Sequence, residues 1–152
     1  MSDITVKVRP LSDKIGEEIP LPRYTTPGSA AADLHACIDG PMTIAPGERA
    51  LLPTGIAVEL PDSSHAAFVF NRSGMGIKHG VTLSNGVGVI DSDYRGEIHV
   101  GLTNLSTAPY TVYPGDRIAQ LCVMPVCRAL FEVCGELSDT DRGEGGFGST
   151  GK

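Results

Sequence analysis

Short apolar segments separated by glycine and proline turns make up most of this chain. Ile56–Leu60 and Ile98–Thr103 alternate apolar and polar residues, which predicts strands with one buried face. Ala66–Phe70 and Ile118–Met124 are more continuously apolar and predict strands buried on both faces. The best helix candidate is a short turn over Arg72–Ile77, which contains two glycines. The pattern therefore predicts an all-β fold, a jelly-roll or distorted β-barrel sandwich.

Two turns share the same sequence pattern. Ala45–Arg49 and Tyr113–Arg117 each place a proline before a glycine and lead into an apolar strand. Proline followed by glycine favours a type II turn. We interpret the pair as one kind of corner used twice, with no catalytic meaning.

The apolar pattern ends at about Gly135. We therefore predict a domain over residues 1–135 and a C-terminal arm over residues 136–152. The last eleven residues hold five glycines, Arg142, Phe147 and two hydroxyl side chains. Such a segment cannot bury enough apolar surface to order itself, but a ligand could order it. Backbone N–H groups and Arg142 suit an anion, and Phe147 offers a flat face for a base. A solvated, disordered tail explains the composition equally well.

Size and charge narrow the classes of function. The chain has 152 residues, which suits one domain, and a net charge of −6, which argues against a general nucleic-acid or anionic-membrane binder. No apolar run approaches the length of a membrane span, and the N-terminus lacks the layout of a signal peptide. We expect a cytoplasmic protein.

The cysteines and histidines do not form a metal-binding pattern. The four cysteines lie among apolar residues without a Cys-x-x-Cys pair, so we expect reduced, buried thiols. The four histidines are scattered. A transition metal held by protein ligands is therefore not expected.

The segment Asn85–Glu97 predicts a hairpin that carries Asp91, Asp93 and Tyr94 at its bend. Asp91 directly follows apolar residues, so we expect it to be partly shielded from water and suited to act as a general base. A carboxylate that closes a turn is the alternative. For Asp93 that alternative is favoured, and for Asp91 both interpretations stay open.

Three further segments carry polar groups next to apolar strands. Arg72 and Ser73, followed by Gly74, suit a phosphate cradle at the start of a helical turn, although a polar loop explains them too. Gln120 is a polar residue in an apolar strand, so its amide needs a partner, either backbone or ligand. Asp33 lies among small residues and either pairs with an arginine or has a role in a site.

Five segments, in this order and spacing, resemble the five motifs of the trimeric deoxyuridine triphosphate pyrophosphatases (dUTPases). They are Ser29–Leu34, Arg72–Gly74, Asn85–Gly96, Gly115–Gln120 and Arg142–Gly151. The match runs from about Ile19 to the C-terminus. The third and fifth segments are the most specific, because they are the longest.

The resemblance implies a jelly-roll homotrimer with sites between subunits, each completed by a neighbour's flexible arm. It implies hydrolysis of dUTP to dUMP and pyrophosphate with Mg²⁺ as cofactor, by attack of water on the α-phosphorus. This reaction limits uracil incorporation into DNA and supplies dUMP for thymidylate synthesis. Asp91 resembles the general base that deprotonates the water. The implied partners are dUTP and further copies of the chain, with neither nucleic acid nor membrane.

The resemblance also implies roles for the substrate-binding residues. The groups that hold phosphate correspond to Arg72, Ser73, Gly74 and Gln120, and the hairpin that recognises uracil corresponds to Asn85, Gly88, Val89, Ile90 and His99. Tyr94 corresponds to the ring under the deoxyribose. On the arm, Phe147 would stack on uracil, and Arg142, Gly148, Ser149 and Thr150 would close over the phosphates. Mg²⁺ would be held mainly by substrate phosphates and water, with Asp33 in its outer shell.

The chain departs from the family pattern at three positions. Ala31 stands where glycine is common, Asn71 stands where proline is frequent before Arg72, and His99 stands where lysine or methionine is more usual. Asp91 and Tyr94 match the pattern.

Three other functions fit the residues less well than dUTP hydrolysis. The related dCTP deaminases carry a catalytic glutamate where this chain has Gly101, which cannot move protons. A non-catalytic nucleotide-binding jelly-roll would tolerate the loss of Asp91 or the arm, and both are present. A purely structural trimer has no use for Arg142 and Phe147 on an arm.

Overall fold

A computed structural model describes residues 3–146 of the chain. This part contains eleven strands and one short helix. In chain order they are β1 (Lys7–Pro10), β2 (Ala32–His35), β3 (Met42–Ile44), β4 (Arg49–Pro53), β5 (Ile56–Glu59), β6 (His65–Phe70), α1 (Ser73–His79), β7 (Val81–Leu83), β8 (Gly88–Ile90), β9 (His99–Asn104), β10 (Tyr110–Val112) and β11 (Arg117–Pro125). The predicted all-β class is confirmed.

Every strand pair in the described residues is antiparallel. A four-stranded sheet has the order β2-β11-β6-β8, and a three-stranded sheet has the order β4-β9-β7. Two smaller ladders join β1 to β5 and β10 to β3. Neighbours in these sheets are distant in sequence, as jelly-roll connections require, so the sheets bring together residues from opposite ends of the chain.

Apolar side chains from both main sheets share one core. Leu52, Val81 and Leu102 are completely buried, and Val112 of β10 packs into the same cluster. Asn104 is buried beside them and is fully hydrogen-bonded. Its Nδ2 donates to two backbone carbonyls, at 2.9 and 2.8 Å, and its Oδ1 accepts from Ser106. This satisfied amide holds the turn after β9 without a polar penalty in the core.

The local predictions agree closely with the structure. The four predicted strands correspond to β5, β6, β9 and β11, and the predicted helical turn is α1. The two proline–glycine corners are alike, because Gly47 and Gly115 have φ values of 80° and 79°. In each corner the next residue donates back to the residue before the proline, at 3.0 and 3.1 Å. Positive φ at the third position is what a type II turn requires, and glycine supplies it without strain.

The chain beyond β11 differs from the core. The last strand ends at Pro125, and residues 126–146 contain no further strand or helix. Most of this segment is exposed, including Cys127 and Cys134, so the expectation of buried thiols is wrong for these two residues. A domain boundary near Gly135 stays a prediction. Phe147, Gly148, Ser149 and Thr150 lie outside the described residues. Within residues 3–146, no helix is long and apolar enough to cross a membrane.

Candidate active site

The bend between β8 and β9 encloses a cleft of about 270 Å³. The cleft is lined by both strands, by the loop between them and by one residue each from β6 and β7. Seven of the predicted site residues line it: Asn85, Gly88, Val89, Ile90, Asp91, Tyr94 and His99. The hairpin predicted from the sequence therefore forms one concave site.

Gly88 of β8, which lines the cleft, packs closely against β6. A Cβ atom on Gly88 would lie 3.0 Å from Cβ of Val69, so a larger residue would require Val69 to shift. Gly88 pairs with Val69 in the antiparallel ladder between the two strands. The N–H and C=O groups of an edge strand such as β8 are available to hydrogen-bond a planar ligand.

Tyr94 is fixed at one side of the cleft. Its hydroxyl donates a hydrogen bond to the backbone oxygen of Glu97 at 2.9 Å. Its ring lies over Gly96, where an added Cβ would approach Cζ of the tyrosine to 2.6 Å. Real Cβ atoms do not come so close, so Gly96 makes this ring position attainable.

Glu97 is a site residue that the sequence reasoning missed. It lines the cleft, and its Oε1 accepts a hydrogen bond from the Gly55 backbone N–H at 2.8 Å. Its other carboxylate oxygen lies 3.6 Å from Nε2 of His99. The sequence feature that could have identified it is a carboxylate three residues after Tyr94, the tyrosine at the bend. Glu97 ties β9 to the corner before β5 and orients His99 at the mouth of the cleft.

Asp91 lies at the mouth of the cleft, directly after β8. Its backbone oxygen accepts from the Tyr94 N–H at 3.1 Å, which closes the bend. Its side chain is exposed, so the expectation of partial shielding is wrong for the single chain. Within residues 3–146 the carboxylate makes no hydrogen bond, so both oxygens are free to accept a proton from water.

A second group of predicted residues surrounds Arg72. The Arg72 guanidinium donates from Nη1 to the backbone oxygen of Arg117 at 2.9 Å, and its Nε lies 3.3 Å from Oδ1 of Asp33. Asp33 is almost completely buried, with an exposed fraction of 6%. Arg117 donates from Nη1 to its other carboxylate oxygen at 3.2 Å. Asp33 therefore does pair with arginines, and it holds Arg72 in place from β2.

The remaining phosphate candidates lie close to Arg72. Ser73 and Gly74 are exposed at the start of α1, and the half-buried Gln120 pairs with Asp33 across the ladder of β11 and β2. Asn71, which stands where the family frequently has proline, makes a contact that proline could not make. Its Nδ2 donates a hydrogen bond to the Val81 backbone oxygen at 3.3 Å. This contact ties the loop before α1 to the next sheet.

The two groups of residues do not meet within one chain. Asp33 lies on β2 and Asp91 follows β8, which are the two outer strands of the four-stranded sheet. Three strand spacings, roughly 14 Å, separate the two strands across the sheet. Asp91 is displaced further along the strands, because Asp33 is level with Phe70 of β6 whereas Ile90, just before Asp91, is level with Ala67. Arg142 is exposed on the C-terminal segment, where its Nε donates to the Gly145 backbone oxygen at 2.9 Å. The hydrogen bonds and ion pairs of the described residues do not connect Arg142 to either group.

Comparisons with known proteins identify the family of this chain. The protein-family model described as dUTPase matches residues 17–151. The deoxyuridine 5'-triphosphate nucleotidohydrolase of Idiomarina loihiensis is 53% identical over 152 residues, which cover 100% of this chain and 99% of the relative. The enzyme of the same name from Legionella pneumophila is 51% identical over 147 residues, 97% of each chain.

Solved structures show the same fold. The dUTPase of Staphylococcus bacteriophage 80alpha with dUpNHpp has a TM-score of 0.85 at 24% identity, over 97% of this chain and 99% of the phage protein. A mutant dUTPase from phage phi11 of S. aureus, described with a structural Mg(II) ion, has a TM-score of 0.76 at 22% identity, over 89% and 99% of the chains. With the family model and the relatives covering nearly the whole chain, we conclude that this chain belongs to the dUTPase family.

Proposed function

We propose that this chain hydrolyses dUTP to dUMP and pyrophosphate. The observation that carries the proposal is the cleft in which backbone of β8, the ring of Tyr94 and the carboxylate of Asp91 converge. Relatives at about half identity over the full chain are deoxyuridine 5'-triphosphate nucleotidohydrolases. In this reaction the protein mainly positions the triphosphate and the water and stabilises developing charge.

The cleft suits uracil attached to deoxyribose. Backbone groups beside Gly88 and Val89 can pair with the edge of uracil, while cytosine would present its amine with the reversed hydrogen-bond pattern. A narrow hairpin would reject thymine through a steric clash with its methyl group. The ring of Tyr94, fixed by the hydrogen bond to the Glu97 backbone oxygen, would lie under the sugar and exclude a 2′-hydroxyl, so that deoxyribose would be selected over ribose.

Asp91 is the proposed general base. Its exposed carboxylate accepts a proton from the water that attacks the α-phosphorus, and pyrophosphate leaves from the opposite side. The oxygen of the water forms the new bond to phosphorus as the bond to the bridging oxygen breaks. In the assembled site, bound nucleotide and the arm would exclude other water from this carboxylate.

The phosphate groups are assigned to Arg72, Ser73, Gly74 and Gln120. Arg72 is held by Asp33 and by the Arg117 backbone, so its guanidinium is already ordered when an anion arrives. The first turn of α1 adds backbone N–H groups from Ser73 and Gly74, which are exposed. Preordered donors stabilise a transferring phosphoryl group without the cost of reorganisation.

The residues present also suit Mg²⁺ bound through the substrate. Within residues 3–146, no group of three acidic, histidine or cysteine side chains could cage a metal ion. Mg²⁺ commonly keeps several waters and takes its other ligands from substrate phosphates. Asp33 would act in the outer shell of the ion, mainly by holding the guanidinium of Arg72 at 3.3 Å from its Oδ1, beside the phosphates that bind the metal. The bound ion would neutralise charge on the triphosphate.

The active assembly is proposed to be a homotrimer. The segment after β11 exposes Leu130, Phe131, Val133 and Leu137, with exposed fractions of 95%, 96%, 100% and 86%. Burying each such side chain against another subunit contributes about 1.5–3 kcal/mol. A neighbouring subunit also explains why the hairpin and the Arg72 group lie apart in one chain: the two would meet between subunits. The arm, residues 136–152, would then close over a site with Arg142, Phe147, Gly148, Ser149 and Thr150.

Phe131→Glu is expected to weaken the trimer and lower dUTP turnover together. The substitution places a charge where an apolar surface is to be buried, which costs several kcal/mol per subunit contact. Light scattering coupled to size-exclusion chromatography measures the mass. Phe131→Leu, which keeps an apolar side chain, should stay trimeric. A trimer of unchanged stability in Phe131→Glu would contradict this role of the segment.

Gly96→Ala is expected to relax selection against ribose. The new methyl group must displace the Tyr94 ring and its hydrogen bond to Glu97, so the ratio of kcat/KM for dUTP over UTP should fall about tenfold or more. Gly40→Ala is the matched control, because an added Cβ there meets no atom within 4 Å. An unchanged ratio in Gly96→Ala would show that Tyr94 does not select the sugar.

The proposal is tested by pyrophosphate release, with Mg²⁺, from dUTP, UTP, dTTP, dCTP and dATP. Release from dUTP alone, with dUMP as co-product, is the expected result. Conversion of dCTP to dUTP in the same tubes would favour the deaminase alternative. That outcome is not expected, since Gly101 lines the cleft and supplies no acid or base.

The cellular consequence follows from the reaction. Hydrolysis removes dUTP from the pool available for DNA synthesis, so it limits uracil incorporation, and the dUMP formed is the precursor for thymidylate synthesis. We place this activity in the cytoplasm.

A further inference from the structure

A second cavity, separate from the hairpin cleft, lies beside strand β2. It encloses about 500 Å³ between the segment before β2, the strand itself and the corner at Gly115. Its lining consists of Pro20, Arg23, Tyr24, Thr25, Asp33, His35, Gly115 and Arg117. Neither Arg23 nor His35 has a role in the proposed reaction.

His35 is the most informative residue of this cavity. It faces the cavity from β2, opposite Arg117 in the strand ladder and on the same face as Asp33 two residues earlier. Its exposed fraction is 8%, and its buried Nδ1 has no hydrogen-bond partner among residues 3–146. Buried polar atoms normally have partners, and His35 lines the cavity, so a ligand bound there could supply the partner that Nδ1 lacks.

The charges around His35 favour an anion. Arg23, from the segment before β2, and Arg117, from β11, line the cavity together with a single carboxylate, that of Asp33. Arg72 and Arg117 both contact Asp33, whereas Arg23 has no ion pair within residues 3–146. Two guanidinium groups against one carboxylate, which Arg72 also neutralises from outside the lining, leave a positive cavity in a chain whose net charge is −6. Guanidinium groups are suited to oxyanions because they donate two parallel hydrogen bonds.

We propose that this cavity binds a phosphate group, which pairs with the guanidinium groups of Arg23 and Arg117 and accepts a hydrogen bond from Nδ1 of His35. The phosphate has two chemical sources, free inorganic phosphate or the terminal phosphate of a bound nucleotide. A nucleotide could supply the phosphate because Arg72, a proposed phosphate ligand, adjoins the cavity through Asp33. This second source rests on the proposed function, whereas binding of free phosphate is independent of it.

Occupancy changes the protonation of His35. In the empty cavity, burial lowers the pKa of His35, and the nearby arginines lower it further against the opposing effect of Asp33. A bound phosphate offsets the arginines and favours the charged imidazolium. Binding should therefore raise the pKa of His35, with uptake of protons in the range below its ordinary value of about 6.5.

The experiment follows the His35 ring by NMR in the full-length protein with isotope-labelled histidine, during titration with inorganic phosphate. Phosphate is expected to shift the His35 signals and raise the pH midpoint of its titration. Arg23→Ala should weaken phosphate binding about tenfold or more, because a charged hydrogen-bonding partner is lost. Arg9→Ala, which removes an exposed arginine on β1, is the matched control and should bind phosphate as the unmodified chain does.

A second arm of the experiment repeats the phosphate titration in the presence of saturating dUpNHpp, an analogue that stands in for dUTP. If phosphate still shifts His35, the source is free phosphate. If the analogue displaces phosphate and itself shifts His35, the cavity takes the terminal phosphate of the nucleotide. No shift of His35 with either ligand, or binding unaffected by Arg23→Ala, would overturn the proposal. Pyrophosphate release from dUTP, measured on the same protein, reports on the proposed function separately.

Discussion

Asp91→Asn is expected to reduce pyrophosphate release from dUTP by about 100- to 10,000-fold, the usual contribution of a general base. Asparagine has nearly the same shape, so the bend should be retained. The backbone oxygen of Asp91, not its side chain, accepts from the Tyr94 N–H. Since the exposed carboxylate makes no hydrogen bond within residues 3–146, its replacement leaves no buried group unpaired. Affinity for dUpNHpp should consequently change little.

Single-turnover kinetics and calorimetric titration with dUpNHpp separate the two effects. Asp93→Asn is the matched control, since Asp93 is an equally exposed carboxylate two residues further along the same bend. It should retain most of the activity. Loss of hydrolysis and of analogue binding by the same factor in Asp91→Asn would mean that Asp91 supports the shape of the site and not the chemistry.

The sequence predicts local features of this protein well, because they depend on neighbouring residues. Alternation in Ile56–Leu60 and Ile98–Thr103 identifies β5 and β9, and Pro-Gly pairs identify two corners with positive φ at Gly47 and Gly115. The hairpin that carries Asp91 is predicted for the same reason. Here side-chain periodicity and turn chemistry determine the structure within a few residues.

Contacts between distant segments are not predictable in this way. Asp33 and Arg117 are 84 positions apart, and they meet because β2 and β11 pair in the four-stranded sheet. From the sequence, Asp33 could either pair with an arginine or have a role in a site. The strand order determines that the guanidinium groups of Arg72 and Arg117 both contact its carboxylate. The cavity at His35 has the same origin, since it needs β2, β11 and the segment before β2 in place.

Asp91 shows a different limit. Apolar neighbours in sequence led us to expect shielding from water, but at the end of an edge strand the side chain points away from the core and is exposed. The exposed apolar residues after β11 are the complementary case. In the described part of one chain they are almost fully exposed, and their sequence alone does not identify the surface that they would cover.

Deletion of residues 142–152 is expected to leave a folded trimer with dUTP turnover at least about 100-fold lower. The arm is proposed to close over the nucleotide with a guanidinium and an aromatic ring. Removing donors that meet a phosphoryl group costs about 100- to 1,000-fold in rate, and loss of closure admits water. The fold should survive because Arg142 is exposed and its side chain bonds locally to the Gly145 backbone oxygen. The apolar residues proposed to hold the trimer, Leu130 to Leu137, remain.

The truncated protein separates closure from binding of the nucleotide at the hairpin. Thermal unfolding and light scattering should match the full-length chain, and affinity for deoxyuridine or dUMP should fall less than affinity for dUpNHpp, since Arg142 acts on the outer phosphates. Arg142→Ala in the full-length chain tests the guanidinium alone, and Arg128→Ala, an exposed arginine between β11 and the arm, is its control. Full activity of the truncated protein would refute the role of the arm. A monomeric truncation product would instead show that residues 142–152 contribute to assembly, so that the drop in turnover would not report on closure.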